Sequence, residues 1–217
     1  MSWDNPNRRF LIPAALIGII AGGVGTALGV WAAKRRAQAR HYARGLIAGD
    51  SINASPVLTR ALTQLTGFPW DNVAVVGRNT SQILTQVQGG LRQAHYDVVL
   101  VSAGGNDGNR DLGVTQRNIQ AIARAVRSAG ATLVMLSEPP FGAYRNPLGP
   151  AALARSQASR RWVLSGRSGA NYAIDLYQVL GGGSDRIRSD FNGGDGLHPN
   201  VAGRTALAQA VARIVMA

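Results

Sequence analysis

The sequence predicts an α/β fold: a mostly parallel, five-stranded sheet with helices on both faces. Three observations predict it. Short apolar runs at 46–48, 97–102 and 132–136 alternate with stretches of 10–15 residues carrying a helical apolar period, which is the pattern of strand–helix–strand units. The strand runs are apolar without interruption, as expected of strands buried on both sides. Glycines stand at the ends of the strands (Gly49, Gly77, Gly104, Gly105), and in such sheets ligands bind beyond the carboxyl ends of the strands.

The elements follow in order. Residues 46–48 form a short buried strand that ends at Gly49-Asp50-Ser51. A helix is expected over 56–65, with Val57, Leu58, Ala61, Leu62 and Leu65 as its apolar face. Residues 72–76 read as the second strand, before Gly77. Ile83, Val87 and Leu91 recur at four-residue spacing and mark a helix. Residues 97–102 form a central strand, and 114–128 a helix that turns Ile119, Ile122 and Val126 inward and stops at Gly130. Thr132–Leu136 is the fourth strand. Residues 139–150 hold four prolines and two glycines and form a loop, with Phe141, Tyr144 and Leu148 as its apolar surface. A weaker helix covers 151–164, 172–176 reads as the fifth strand, and the last helix begins after His198 and buries Leu207, Val211 and Ile214.

The chain has 217 residues, enough for one domain with a real core and a tail. No cysteine is present, so neither a disulfide framework nor thiolate chemistry is available. With three histidines and no cysteine, no metal site and no cofactor is expected. Net charge is +12, and residues 1–44 carry +6 of it. A basic surface favours anionic partners, but arginines scattered over a domain are ordinarily a solvated face, so a nucleic-acid partner is disfavoured.

Residues 10–33 carry no charge. A helix over 11–33 would be roughly 34 Å long, enough to cross a bilayer. Gly18, Gly22, Gly25 and Gly29 form two G-x-x-x-G pairs, a face on which helices approach closely in lipid and on which a homo-oligomer could form. The expected organisation is a polar N-terminus at 1–9, a transmembrane helix at 10–33, a basic linker or helix extension at 34–44, and the α/β domain at 45–217. A cleaved signal peptide and a segment shielded inside an assembly remain alternatives. The anchored reading places the protein in the cell envelope, or in a virion entering the host envelope. The excess of basic residues after the segment puts the domain on the cytoplasmic side, against a cell-wall substrate.

Asp195-Gly196-Leu197-His198-Pro199 places an acid and an imidazole three residues apart, on a turn that leads into a helix. A serine hydroxyl needs a base to take its proton, and the base needs an orienting acid. His198 is the best base: His41 lies beside the basic linker and His95 ahead of a strand. Asp50 and Asp107 are expected to cap helices or accept from loop N–H groups.

Four blocks in order, Gly49-Asp50-Ser51-Ile52, Gly77, Gly104-Gly105-Asn106-Asp107 and Asp195-x-x-His198-Pro199, resemble those of the SGNH, or GDSL-type, hydrolases. The resemblance covers 45–217. It implies a flavodoxin-like three-layer α/β/α sandwich that hydrolyses esters, in some members thioesters or amides. It implies Ser51 as nucleophile, Asp195 and His198 as its acid and base, and an oxyanion hole of the Ser51 and Gly77 N–H groups and the Asn106 amide. Ile52 stands where the common pattern has leucine, and Arg78-Asn79 where many members have serine-glycine. Arg78, Asn79, Asn109 and Arg110 are the candidate substrate-binding residues. The substrate is expected to be an ester, of a glycan such as O-acetyl groups of a cell-envelope polymer, or of a lipid. A virion or delivery protein that kept a hydrolase-like domain is the reading of a different class.

Overall fold

A computed structural model gives the architecture. It describes residues 42–108, 110–146 and 148–217, all within one compact unit, His41–Ala217. The elements are β1 (Gly45–Ala48), α1 (Pro56–Thr66), β2 (Trp70–Asn72), α2 (Thr80–Gln93), β3 (Val98–Ser102), α3 (Leu112–Ser128), β4 (Thr132–Leu136), α4 (Pro150–Leu164), β5 (Tyr172–Ile174), α5 (Leu176–Gly181) and α6 (Val201–Val215). The sheet order is β2-β1-β3-β4-β5, and every pair is parallel. This is the flavodoxin-like order, with its switch point between β1 and β3.

Alternation along the strands builds the layers. Ile47, Val98, Leu100, Val134 and Leu136 face one core, shared with Leu58 and Leu62 of α1, Leu176 and Leu180 of α5, and Leu207 and Val211 of α6. Leu46, Ala48, Val99, Val101, Leu133 and Met135 face the other, against Ile83 and Val87 of α2, Ile119, Ile122 and Val126 of α3, and Trp162 and Val163 of α4. Successive side chains of a strand point to opposite faces, so an unbroken apolar run means two hydrophobic layers.

Three expectations shift. The second strand is Trp70–Asn72 rather than 72–76. Phe68 and Trp70 stack with centroids 5.5 Å apart, and the Trp70 indole N–H donates to Thr66 Oγ1 at 3.0 Å; this anchor draws the strand toward α1. Backbone bonds to β1 run on, from Val73 N–H to Ile47 O at 2.9 Å and Val75 N–H to Gly49 O at 3.0 Å, but Val75 and Val76 are 43% and 68% exposed. Leu65 is exposed because α1 turns Leu58, Leu62 and Thr66 inward, and at the far end of α6 Val215, rather than the half-buried Ile214, is enclosed. A short helix, α5, follows β5 where the sequence had no element; Asp175 caps it, Oδ1 accepting from Tyr177 N–H at 3.1 Å.

The membrane expectation is corrected. Among the described residues no helix is long and apolar enough to cross a membrane. The longest, α3, has 17 residues and carries Arg117, Arg124 and Arg127, whereas a span needs about 20 predominantly apolar residues. Residues 10–33, to which the crossing was assigned, lie outside the described residues. The membrane partner, the homo-oligomer through a glycine-rich helix, and the placement in a cell envelope or virion rested on that segment and find no spanning helix among the described residues to carry them.

Two leucines of α1 provide a test of the layer assignment. Leu62 is 0% exposed and Leu65 is 43% exposed. Leu62→Ala is expected to cost about 2–5 kcal/mol and Leu65→Ala less than about 0.5 kcal/mol, measured by urea unfolding; equal costs would contradict the packing of α1.

Candidate active site

The turn after β1 carries the first side chain. Gly49 takes φ 141°, and a Cβ there would lie 2.4 Å from Ser102 Oγ and 2.7 Å from Ser102 O, so only glycine lets β1 leave the sheet this close to β3. The Gly49 N–H donates to Gln86 Oε1 at 3.0 Å. Buried Asn53 closes the turn, donating to Ala48 O at 2.9 Å, and Arg204 of α6 donates to Ile52 O at 2.9 Å. Ser51 sits half-buried at the crest.

Asp50 points away from Ser51 into the protein. Its Oδ1 accepts from Ile52 N–H at 3.1 Å and from Ser102 Oγ at 2.9 Å. Burial pushes its carboxyl above the ordinary range, and the bonds from Ile52 and Ser102 pull against that. Asp107 likewise serves structure: it accepts from Thr80 N–H and Thr80 Oγ1, both at 2.8 Å, and from Thr115 Oγ1. It thereby ties the loop after β3 to the first turn of α2 and to α3.

The turn before α6 presents the acid and the imidazole. Asn192 Oδ1 accepts from the N–H groups of Gly194 and Gly196, both at 2.9 Å. Asp195 Oδ1 accepts from Leu197 N–H at 3.0 Å and His198 N–H at 2.9 Å, while Asp195 Oδ2 lies 2.5 Å from His198 Nδ1. Burial opposes ionisation of Asp195, but the His198 ring and the two backbone N–H groups outweigh it and hold the carboxyl down at about 2. His198 Nε2 lies 2.8 Å from Ser51 Oγ. A carboxylate only accepts, so in the neutral ring the proton sits on Nδ1 and Nε2 is left to accept from the Ser51 hydroxyl.

The second and third blocks meet at Asn106. Its exposed side-chain amide donates to Arg78 O at 3.3 Å and to Asp50 Oδ2 at 3.4 Å. Gly77 is exposed with φ 78°, and among the described residues neither the Gly77 nor the Ser51 N–H has a hydrogen-bond partner. Arg78 lines a shallow cavity of about 280 Å³ with Val75, Gln82, Thr85 and Gln86. The Asn79 side chain is committed to capping α2, accepting from Gln82 N–H at 3.2 Å in a reciprocal capping box. Arg110 is exposed, its N–H bonded to Asp107 O at 3.0 Å. Asn109 lies outside the described residues.

Several neighbours had no signal in the sequence. Tyr144 stands edge-on to the His198 ring, centroids 6.5 Å apart. Arg145 clasps the acid–base turn: its N–H donates to Asp195 O at 2.8 Å and its guanidinium to Gly194 O at 2.7 Å. Phe141, expected as apolar loop surface, is buried at 6% exposure. Proline and glycine marked 139–150 as a loop but not its partner. No group of acidic residues and histidines able to hold a metal ion occurs among the described residues.

A family model described as GDSL-like lipase/acylhydrolase matches residues 27–206. The chain belongs to this family, the SGNH hydrolases. It is a serine hydrolase of the esterase class. A lipase/acylhydrolase from Enterococcus faecalis is 21% identical with a TM-score of 0.68, covering 80% of this chain and 95% of its own. A GDSL-like lipase from Bacteroides thetaiotaomicron is 17% identical with a TM-score of 0.67, covering 86% and 96%. A psychrotrophic esterase from Pseudoalteromonas sp., in a structure inhibited by monoethylphosphonate, is 18% identical with a TM-score of 0.60, covering 79% and 98%. At these identities the likeness is one of fold. No curated protein matches the chain.

Two variants test the supports of this SGNH site. Asp107→Ala leaves the Thr80 N–H and the Thr80 and Thr115 hydroxyls without their acceptor, and is expected to cost about 3 kcal/mol in urea unfolding; an unmoved midpoint would refute the tie. For Asp195 the folded carboxyl titrates at about 2 against an ordinary 3.8. Its contribution to stability is therefore complete above 3.8 and is lost as pH falls through about 2. The stability difference between wild type and Asp195→Asn should stay constant down to about pH 4.5 and shrink below it; a difference independent of pH would contradict this.

Proposed function

We propose that residues 45–217 form a serine esterase that works through an acyl-enzyme, with Ser51 as nucleophile, His198 as base and Asp195 as the group that orients it. One observation carries this reading: the hydrogen-bonded line from Ser51 Oγ to His198 Nε2 at 2.8 Å and from His198 Nδ1 to Asp195 Oδ2 at 2.5 Å.

The steps follow from the line. His198 Nε2 takes the hydroxyl proton as Ser51 Oγ attacks the ester carbonyl. Asp195, a carboxylate at any pH where the enzyme works, stabilises the imidazolium without taking its proton. Negative charge develops on the carbonyl oxygen and meets the N–H groups of Ser51 and Gly77 and the Asn106 amide, which gives up one of its two long bonds, to Arg78 O or Asp50 Oδ2, to make the contact. The tetrahedral adduct collapses, the C–O bond to the alcohol breaks, and His198 returns its proton to the leaving oxygen. Water then attacks the acyl-enzyme by the same route, releasing the acid and restoring Ser51.

The substrate we propose is a short-acyl ester of a polar alcohol, such as an O-acetyl group on a glycan. Arg78, Arg110 and Asn106 give the mouth a polar and cationic rim, and with Asn109 they are the groups proposed to meet the alcohol part. Asn79, spent on its helix cap, contributes by fixing Arg78. A lipid ester or thioester is the second reading, favoured by the exposure of Val75 and Val76 beside Gly77, which offers apolar surface to a longer acyl chain.

A fluorophosphonate probe should label the intact protein, and Ser51→Ala should abolish both labelling and hydrolysis of p-nitrophenyl acetate. Asn106→Ala should lower kcat by about 10²–10³ with the fold intact by circular dichroism. Absence of labelling in folded wild type would end the nucleophile assignment. Hydrolysis that rises with acyl length would replace the short-acyl reading with the lipid one.

A further inference from the structure

Two acidic side chains that solvent barely reaches flank the Gly104–Gly105 pair. Asp50 is 4% exposed and Glu138 is 1% exposed. A Cβ on Gly105 would lie 3.7 Å from Asp50 Oδ2, and one on Gly104 only 2.5 Å from Glu138 Oε1. Bare backbone is thus what fits at Gly104 against Glu138, while the distance at Gly105 is an ordinary contact. Glu138 Oε2 accepts from Ser156 Oγ at 2.9 Å, while Oε1 has no hydrogen-bond partner among the described residues. Arg155 Nη1 stands 3.9 Å from Oε1, and the Arg155 side chain is 11% exposed. Its Nη2 donates to Gly104 O at 3.2 Å, and its Nε and Nη1 are unpartnered among the described residues.

A buried ion pair at this separation is a weak stabiliser, because desolvation of two charges offsets their attraction. The electrostatics agree. Burial pushes the Glu138 carboxyl up to about 7; Arg155 and Ser156 pull it down, and Asp50 adds to the rise. Stability gives no reason for an acid here. The one connection that leads outward runs from Arg155 to the Gly104 carbonyl, two residues before Asn106.

We propose that Glu138 and Arg155 are positioning residues for the oxyanion loop: ionised Glu138 orients the Arg155 guanidinium, which holds the Gly104 carbonyl and so sets the Asn106 amide. The proposal rests on the reading of Asn106 as an oxyanion donor. The groups that face Glu138 are Arg155, Ser156 and Ser159 on α4 and Asp50 on the turn after β1. Tyr177 on α5 is the fifth; burial pushes its phenol up, and the Glu138 charge contributes. Protonating Glu138 removes the charge that aligns Arg155, so turnover falls on acidification through neutrality. Stability runs the other way. The folded carboxyl titrates above its ordinary 4.5, so Glu138 favours the fold below that value and this advantage is lost as pH rises through about 7.

The test is Glu138→Gln in the full chain, with kcat and KM for p-nitrophenyl acetate followed across pH and urea midpoints taken at about pH 5 and about pH 8. Expected are a kcat about 10-fold lower above neutrality with KM changed less than about twofold, and loss of the wild-type step of about one unit in log kcat near neutrality, so that the two profiles converge at acid pH. The urea midpoint should exceed that of wild type at the alkaline pH and match it at the acid one. A merely structural glutamate would move the midpoints and leave that step in place, and that result overturns the proposal. If Glu138→Gln does not fold, Ser156→Ala carries the test: loss of a donor to the carboxylate should move the step to higher pH, and an unmoved step overturns the proposal. Fluorophosphonate labelling of Ser51 separates the two levels. A labelled wild type with an unchanged Glu138→Gln profile sinks the positioning role alone, whereas an unlabelled wild type sinks the esterase reading and this proposal together.

Discussion

A hydroxyl at residue 51 and an imidazole at residue 198 stand 2.8 Å apart, and the packing of the domain holds them there. The two turns that carry them share no sequence neighbourhood. Arg204 of α6 bonds to Ile52 O, and α6 packs with α1 in one apolar layer through Leu207, Val211, Leu58 and Leu62. Burial of leucine side chains, each worth about 1.5–3 kcal/mol, therefore fixes the serine turn against the histidine turn. The position is also the switch point of the sheet: β1 and β3 are neighbours, their helices leave to opposite faces, and the crevice between the strand ends takes Ser51 from one side and Asn106 from the other.

Charge in this crevice is arranged by depth. Asp195, only partly enclosed and supplied with two backbone N–H groups and the His198 ring, is held low at about 2. Asp50 and Glu138, enclosed behind the same loops, are pushed up by burial. The outer acid is thus favoured as a carboxylate beside His198, while burial works against ionisation of the inner two. Burial is the larger cause for the inner pair, and the supply of donors adds to it at Glu138. Four acceptor sites on a carboxylate demand partners, and Glu138 Oε1 lacks one among the described residues where both Asp195 oxygens are engaged.

Much of the fold was legible because parallel strands buried on both faces leave a strong local trace. The run at 98–102 and that at 132–136 are apolar at every second position and also between, and each is fully buried. The second strand misled because Val73, Val75 and Val76 look like a strand core, whereas its place is decided by Trp70 and Phe68 stacking beneath it. The short helix α5 misled for the opposite reason: six residues hold too few turns to display a period. In the site, Ser51, Asn106, Asp195 and His198 were legible as motif residues. Glu138, Tyr144, Arg145 and Gln86 were not, because each reaches the site from an element with no motif of its own. Asn79 was read as a substrate contact, yet the Gln82 three residues on makes it half of a capping box, a local pattern that competes for the same side chain.

The amino-acid sequence by itself determined the class of fold and the four glycine-marked blocks, since apolar periodicity acts at short range along the chain, and the resemblance those blocks carry pointed to Ser51, Asp195 and His198. Tertiary structure alone decided where β2 begins, which carboxyls stay charged, and which arginine reaches the loop behind Asn106. Those outcomes depend on burial and on partners tens of residues away, and neither solvent exposure nor a hydrogen-bond acceptor across a turn is written in the order of neighbouring residues.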